Sequence, residues 1–217
     1  MTFDLFSALL DSRTGGSTAF ARLGAANGWS ATGEQVYDVW DPRNKAAQGA
    51  CESWVSWRVP ATQALAETYA ELDLDGDVAS GVEALVESMS QWPLWPDVAA
   101  GLPQLASEHR IGLLSNVDDE IFLHTAAADL VDHDVALTSQ QLQVYKPHPD
   151  IYLRALRRTG RMVHVATSAR DVRGALEAGI PVIRLRRPGH ALDPDGPRPA
   201  YEVDTVDDLP AALAALG

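Results

Sequence analysis

The sequence predicts a doubly wound α/β core whose parallel sheet is interrupted, after its first strand, by an inserted helical domain. Two observations carry this expectation. Short apolar or β-branched runs alternate with stretches of helical spacing through the second half of the chain, a pattern that demands right-handed crossovers and a sheet covered on both faces. The region from Thr14 to Trp92 contains helical spacing alone, with no convincing strand.

The strands are expected at "TFDLF", "RIGLLSN", "VALTS", "MVHVAT" and "PVIRLRR", with "YEVDTV" adding an edge. Helices are expected at "DVAAGLPQLASEH", "PDIYLRALRRTG", "DVRGALEAG" and the closing "DDLPAALAAL". Within the insert, "STAFARLGAANGW", "TGEQVYDVW", "PATQALAETYAEL" and "GVEALVESMSQW" have helical spacing, and the prolines of "WPLWPD" mark the exit. The expected organisation is a Rossmann-like core domain from residues 1–13 and 93–217 around a helical cap domain from 14–92.

The composition narrows the partners. At 217 residues and 46% hydrophobic content, the chain can build one sizeable core or a core with a smaller inserted domain. A formal charge of −13 repels nucleic acid and anionic membranes, although a local basic pocket can attract a small organic anion. One cysteine, Cys51, forms no intramolecular disulfide, and no run reaches the ~18 apolar residues of a membrane span. A cytoplasmic location is expected, and a homodimer is compatible with the sequence.

Open parallel sheets bind ligands at the carboxyl ends of their strands. There the sequence places Asp4, Ser115 with Asn116, Lys146, and the stretch from Thr167 and Ser168 to Asp171. Asp4 is a candidate nucleophile, whose carboxylate would form an ester that water later cleaves. Ser115 and Asn116 are placed to hydrogen-bond that acid or a leaving anion. Lys146 would keep the carboxylate ionised; at ~4 Å and an effective dielectric near ~20 such a pair is worth roughly 4 kcal/mol before desolvation. Asp171 would orient Lys146 or a hydrolytic water, and also suits the start of the helix that follows.

Four segments in order, "FDLFSALLDS", "LLSN", "YKPHPDIY" and "VATSARDVRGALEAG", resemble the haloacid dehalogenase superfamily, and the helical insert resembles its cap domain. The resemblance implies Asp4 as nucleophile. Phosphatases of that superfamily carry a second aspartate two residues later to protonate the leaving alkoxide; here that position is Phe6, which has no proton to give. They also hold Mg²⁺ with an acid early in the fourth segment, where this chain has Ala166 and Thr167. A halide leaves without protonation. The likeness is therefore to the metal-free type II (L-2-haloacid) dehalogenase branch, which implies no cofactor. It also implies a pocket of Phe6, Thr167 and Ser168, with Asn116 and a cap arginine receiving the halide.

Arg43 in "VWDPRNK" is the first candidate for that arginine and Arg58 in "SWVSWRVP" the second. The chain departs from the branch at Ala8, Ala166 and Ser168, positions that help hold the nucleophile and the water. Two alternatives stay open: a Mg²⁺-dependent small-molecule phosphatase, in which Asp4 and Asp171 would hold the metal, and a binding protein that has lost turnover. The six histidines show no metal-ligand spacing and are assigned no catalysis, and the tryptophans read mainly as cap core.

Overall fold

The computed structural model describes all 217 residues. Its sheet has six parallel strands: β1 (Thr2–Phe3), β2 (Gly112–Ser115), β3 (Ala136–Thr138), β4 (His164–Ala166), β5 (Val182–Leu185) and β6 (Tyr201–Val203). They lie in the order β3-β2-β1-β4-β5-β6. Thr2 pairs with Gly112 on one side and with His164 on the other, so the winding reverses between β1 and β4. That reversal opens the crevice in which this architecture places ligands.

Strand residues sort between the faces with period two, because successive side chains point to opposite sides. Leu113, Val165 and Ile183 join the larger apolar core together with the insert. Leu114, Ala166 and Val182 join a second core with Ile151 and Tyr152 of α8 (Pro149–Thr159) and Val172 of α9 (Ala169–Glu177). The remaining core helices are α5 (Val98–Ala106), α6 (Asp119–Leu123), α7 (Ser139–Leu142) and α10 (Leu209–Leu216). None of the helices is long and apolar enough to cross a membrane.

Four helices lie between β1 and α5: α1 (Ser12–Asn27), α2 (Gly33–Gly49), α3 (Arg58–Leu72) and α4 (Val78–Ser88). Each of three begins at a side-chain cap that satisfies an otherwise unpaired amide: Asp11 for α1, Thr32 with Gln35 for α2, and Asp77 for α4. α1 packs closely on α2 because Gly16 has no Cβ; one placed there would meet the Tyr37 ring at 2.4 Å. The chain leaves and re-enters the core side by side, with Asp11 N–H donating to the Pro93 carbonyl at 2.8 Å and Trp95 N–H to that of Leu9 at 3.0 Å.

Two of the sequence expectations change. "TFDLF" is a strand only to Phe3; Leu5–Leu9 form one π-helical turn. The chain turns there because the Asp4 carboxylate caps it, accepting from Ser7 N–H at 3.0 Å. The helix expected to end at Trp40 runs on through Pro42 to Gly49. That extension matters for the site.

The insert is tied down over the crevice. Ser56 Oγ donates to Asp118 at 2.6 Å, and the Trp57 N–H to the same carboxylate at 3.0 Å. Tyr145 OH donates to the Val55 carbonyl at 2.8 Å.

Candidate active site

Asp4 ends β1 at the winding reversal, 7% exposed. Its Oδ2 accepts from the Ser7 N–H at 3.0 Å and from Ser7 Oγ at 2.6 Å. Its Oδ1 accepts from Lys146 Nζ at 2.8 Å and from Ser115 Oγ at 3.1 Å. The turn that supplies Ser7 is itself held from outside, by Trp95 Nε1 on the Ser7 carbonyl at 3.1 Å and by Arg187 on the Ala8 carbonyl at 3.0 Å. A carboxylate with four donors has one orientation.

Lys146, 3% exposed, completes its donor set on Asp171 Oδ2 at 2.6 Å and on the Leu114 carbonyl at 2.9 Å. Burial disfavours both ionised partners, but the attraction between them wins. Burial alone would raise the Asp4 carboxyl; the Lys146 ammonium holds it below the usual range. Asp171 is shifted the same way, first against burial and then by Lys146. Burial would lower Lys146, yet Asp171 and Asp4 hold it above the ordinary lysine value. Asp171 is fixed further by Tyr152 OH on Oδ1 at 2.8 Å and by His164 Nε2 against Oδ2 at 3.1 Å. Tyr152 reaches it because Gly174 leaves room: a Cβ there would lie 2.8 Å from the hydroxyl.

These groups form the floor of a cavity whose roof is α2. Tyr37, Trp40, Asp41, Asn44, Lys45 and Gln48 all line it, the one-face spacing of a helix. Phe6, Trp57 and Trp92 add apolar wall, with the Phe6 and Trp92 rings edge to face at 5.8 Å. His190 lines the cavity too, and burial holds its imidazole below the ordinary value, so it is neutral near pH 7. The tryptophans are thus packing and pocket wall at once.

The structure brings Asp4, Phe6, Ser115, Asn116, Lys146, Ser168 and Asp171 to this cavity. Thr167 stays outside it: its hydroxyl donates to the Leu185 carbonyl at 2.8 Å, turned into the sheet. Arg43 is also elsewhere, on the outer face of α2, donating to the Val39 carbonyl at 2.8 Å and paired with Glu71. Arg58 pairs with Glu83 and Glu120 on the surface. Arg43 misses because it lies on the face of α2 away from the core, and Arg58 because it starts α3 and turns to Glu83 and Glu120. Asn116 lines the cavity, but Lys146 N–H donates to its Oδ1 at 2.6 Å and its Nδ2 donates to Gln48 and to the Lys146 carbonyl, both at 2.9 Å. Its hydrogen-bonding groups are all engaged, which does not fit a halide receptor.

Several site residues escaped the sequence reading. Ser7, Tyr152 and His164 bond the carboxylates directly. Arg170, adjacent to Asp171 in the chain, donates to the Lys45 carbonyl at 2.6 Å and to the Lys146 carbonyl at 2.9 Å, bridging core to insert. Only helical spacing continued past Pro42 would have revealed Asn44, Lys45 and Gln48. As for Mg²⁺, Asp4 and Asp171 share one ammonium, Thr167 faces away, and no three acidic, His or Cys side chains converge; the donor set does not fit that ion.

A family described as haloacid dehalogenase-like hydrolase matches residues 1–179. An (S)-2-haloacid dehalogenase 4A of Burkholderia cepacia is 28% identical over 139 residues, 61% of this chain and 60% of that protein. An (S)-2-haloacid dehalogenase of Xanthobacter autotrophicus is 28% identical over 198 residues, 86% of this chain and 74% of the relative. Among solved structures, an L-2-haloacid dehalogenase from Xanthobacter autotrophicus superposes with a TM-score of 0.82 at 20% identity, covering 100% of this chain and 98% of that one, and shows the shared fold. A defluorinating L-2-haloacid dehalogenase superposes at 0.82 with 25% identity, covering 98% of this chain and 94% of its own.

Proposed function

Because the chain belongs to the haloacid dehalogenase-like hydrolases, we propose that it hydrolyses the carbon–halogen bond of a small 2-haloacid through an ester on Asp4. The observation that carries this reading is the setting of Asp4: a buried carboxylate kept ionised by Lys146, in a cavity walled by Phe6, Trp40, Trp57 and Trp92. A desolvated carboxylate is the stronger nucleophile toward carbon. Phe6 offers no proton, and a departing halide needs none. The similar (S)-2-haloacid dehalogenases support the same chemistry.

In this reading one Asp4 oxygen displaces halide from C2 of the substrate and forms the aspartyl ester. Water then adds to the ester carbonyl, the developing oxyanion is held by the donors already on that carboxyl group, and the ester C–O bond breaks; one water proton leaves on the hydroxyl of the 2-hydroxy acid, the other goes to solvent, and Asp4 returns as a carboxylate. Lys146 balances the charge in both steps. Asp171, with Tyr152 and His164 behind it, holds Lys146 in place. Ser168 closes the floor at the start of α9.

Halide release from 2-chloropropionate and from bromoacetate tests the proposal. A single turnover in ¹⁸O-water is expected to leave label in the Asp4 side chain, read by peptide mass spectrometry. Absence of halide and of adduct, with turnover of an aryl phosphate that a chelator abolishes, would sink it. Absence of adduct with retained anion binding would instead favour a protein that binds without turnover.

A further inference from the structure

Hydrogen-bond polarity runs through the site in one direction and ends on a free donor. Lys146 N–H can only donate, so the Asn116 atom it meets at 2.6 Å is Oδ1, and Asn116 presents Nδ2 to Gln48. Arg170 also can only donate, and it too reaches the Gln48 oxygen, at 3.3 Å. Gln48 is therefore fixed with Oε1 toward the core and Nε2 toward Asn44, one turn earlier on α2. Nε2 meets Asn44 Oδ1 at 3.4 Å. Asn44 in turn has its Nδ2 hydrogens left over. It lines the cavity, it is 5% exposed, and no protein acceptor faces that nitrogen.

Trp40, four residues before Asn44, lines the cavity with its ring at 2% exposure, while its indole N–H is buried out of reach of a ligand, so Asn44 is the donor this face offers. The cavity's cations do not compete for the role. Lys146 lies between two carboxylates, Lys45 is paired with Asp41 at 2.5 Å, and Arg170 is committed to carbonyl oxygens.

We propose that the Asn44 carboxamide N–H is the α2 group that binds the ligand's anion, a substrate carboxylate or a departing halide. The proposal rests on the dehalogenase reading only for the identity of that anion. α2 then senses the ligand through Asn44 and transmits its position through Gln48 to Asn116 and Arg170, which brace Lys146.

The test is calorimetric titration of the whole protein at constant ionic strength with two probes, sodium bromide and sodium propionate. Asn44→Asp keeps the oxygen that accepts from Gln48 but puts a carboxylate where the NH₂ stood, so it reports by repulsion on any anion held nearby. Asn44→Leu removes the donor without adding charge. Binding of bromide, propionate or both is expected to weaken roughly 10- to 100-fold in Asn44→Leu, with thermal unfolding still cooperative, and to weaken at least as much in Asn44→Asp. The probe that weakens identifies the anion. Unchanged affinities in Asn44→Leu, or a wild-type protein that binds neither probe, would overturn the proposal. Failure of the dehalogenase reading looks different: no halide from any 2-haloacid, while anion binding and its dependence on Asn44 persist.

Discussion

On the core side of the cavity, Asp4, Lys146 and Asp171 bond one another at 2.8 and 2.6 Å, and Ser7, Ser115, Tyr152 and His164 occupy the remaining carboxylate oxygen positions. On the α2 side, Asn44 lines the cavity with an Nδ2 that makes no hydrogen bond within the protein. The contrast separates two kinds of work. A floor that is saturated before any ligand arrives fixes the Asp4 carboxylate, and its residues matter to stability as well as to the proposed turnover. A roof with spare donors is completed only by a ligand, so its residues matter to binding. Substitutions that blur this division would break the comparison.

The largest effect is expected on turnover. Asp4→Asn removes the proposed nucleophile, and halide release should fall by ~10⁴-fold or more. The fold should survive, since Lys146 still has Asp171. Residual halide release near the wild-type rate, measured with an ion-selective electrode, would remove Asp4 from the mechanism.

Lys146→Met tests the floor as a structural unit. It leaves two buried carboxylates facing a thioether, and breaking a buried pair this way costs ~3–5 kcal/mol. Urea unfolding at pH 7 should register that loss along with loss of activity. A cost below ~1 kcal/mol would mean the network is solvated and the comparison with the roof is false.

The same trio sets a pH window. Asp4 and Asp171 are held below the ordinary carboxyl value when folded, so their contribution is complete above ~pH 4 and fades as pH falls through the folded values. Lys146 is held above its ordinary value, so its contribution is complete below ~pH 10 and fades as pH rises through the folded one. Stability should be flat between these limits as far as this trio is concerned. Asp171→Asn should flatten the acid limb, compared by urea unfolding in steps from about pH 5 to about pH 2. Identical acid limbs would exclude Asp171 as the linked group.

How far the sequence revealed the molecule follows the same division. The floor was legible because its main residues lie in segments of recognisable composition: Asp4 in "FDLFS" and Ser115 in "LLSN" at strand ends, Lys146 in "YKPHPDIY" in the turn before α8, and Asp171 in "VATSARD" in the first turn of α9. His164 was hidden, since an isolated histidine inside a strand reads as one more buried position; only its pairing beside Thr2 brings it under Asp171. The roof was illegible for a different reason. The helical spacing of "TGEQVYDVW" ends at Trp40, so the face at 44, 45 and 48 lies beyond what that segment reveals. An internal proline costs a helix one hydrogen bond and a steric clash, and here the packing of α2 on α1 and α3 offsets that cost.

Tyr152→Phe probes the back of the floor and should do less. It removes one hydrogen bond to Asp171, from a hydroxyl whose own pKa is driven well above 10.0 first by burial and then by Asp171. Losing it should cost ~1–2 kcal/mol, with the fall in kcat exceeding any change in KM, because Asp171 acts through Lys146 and touches no substrate in this scheme. A change confined to KM would place Tyr152 against the ligand and redraw the cavity.

The smallest effect is expected at Arg43, and it sharpens the comparison by elimination. Charge alone makes Arg43 attractive as the receptor of a halide, yet it projects from α2 away from the cavity and pairs with the half-exposed Glu71. Exposed pairs of this kind contribute ~0–1 kcal/mol because water screens them and holding two long side chains costs entropy. Arg43→Ala should therefore shift urea stability by less than ~0.5 kcal/mol and leave the KM for a 2-haloacid unchanged. A tenfold rise in KM would mean that α2 rotates to bring its outer face inward when ligand binds. In that case the spare N–H of Asn44 would be a feature of the empty site only.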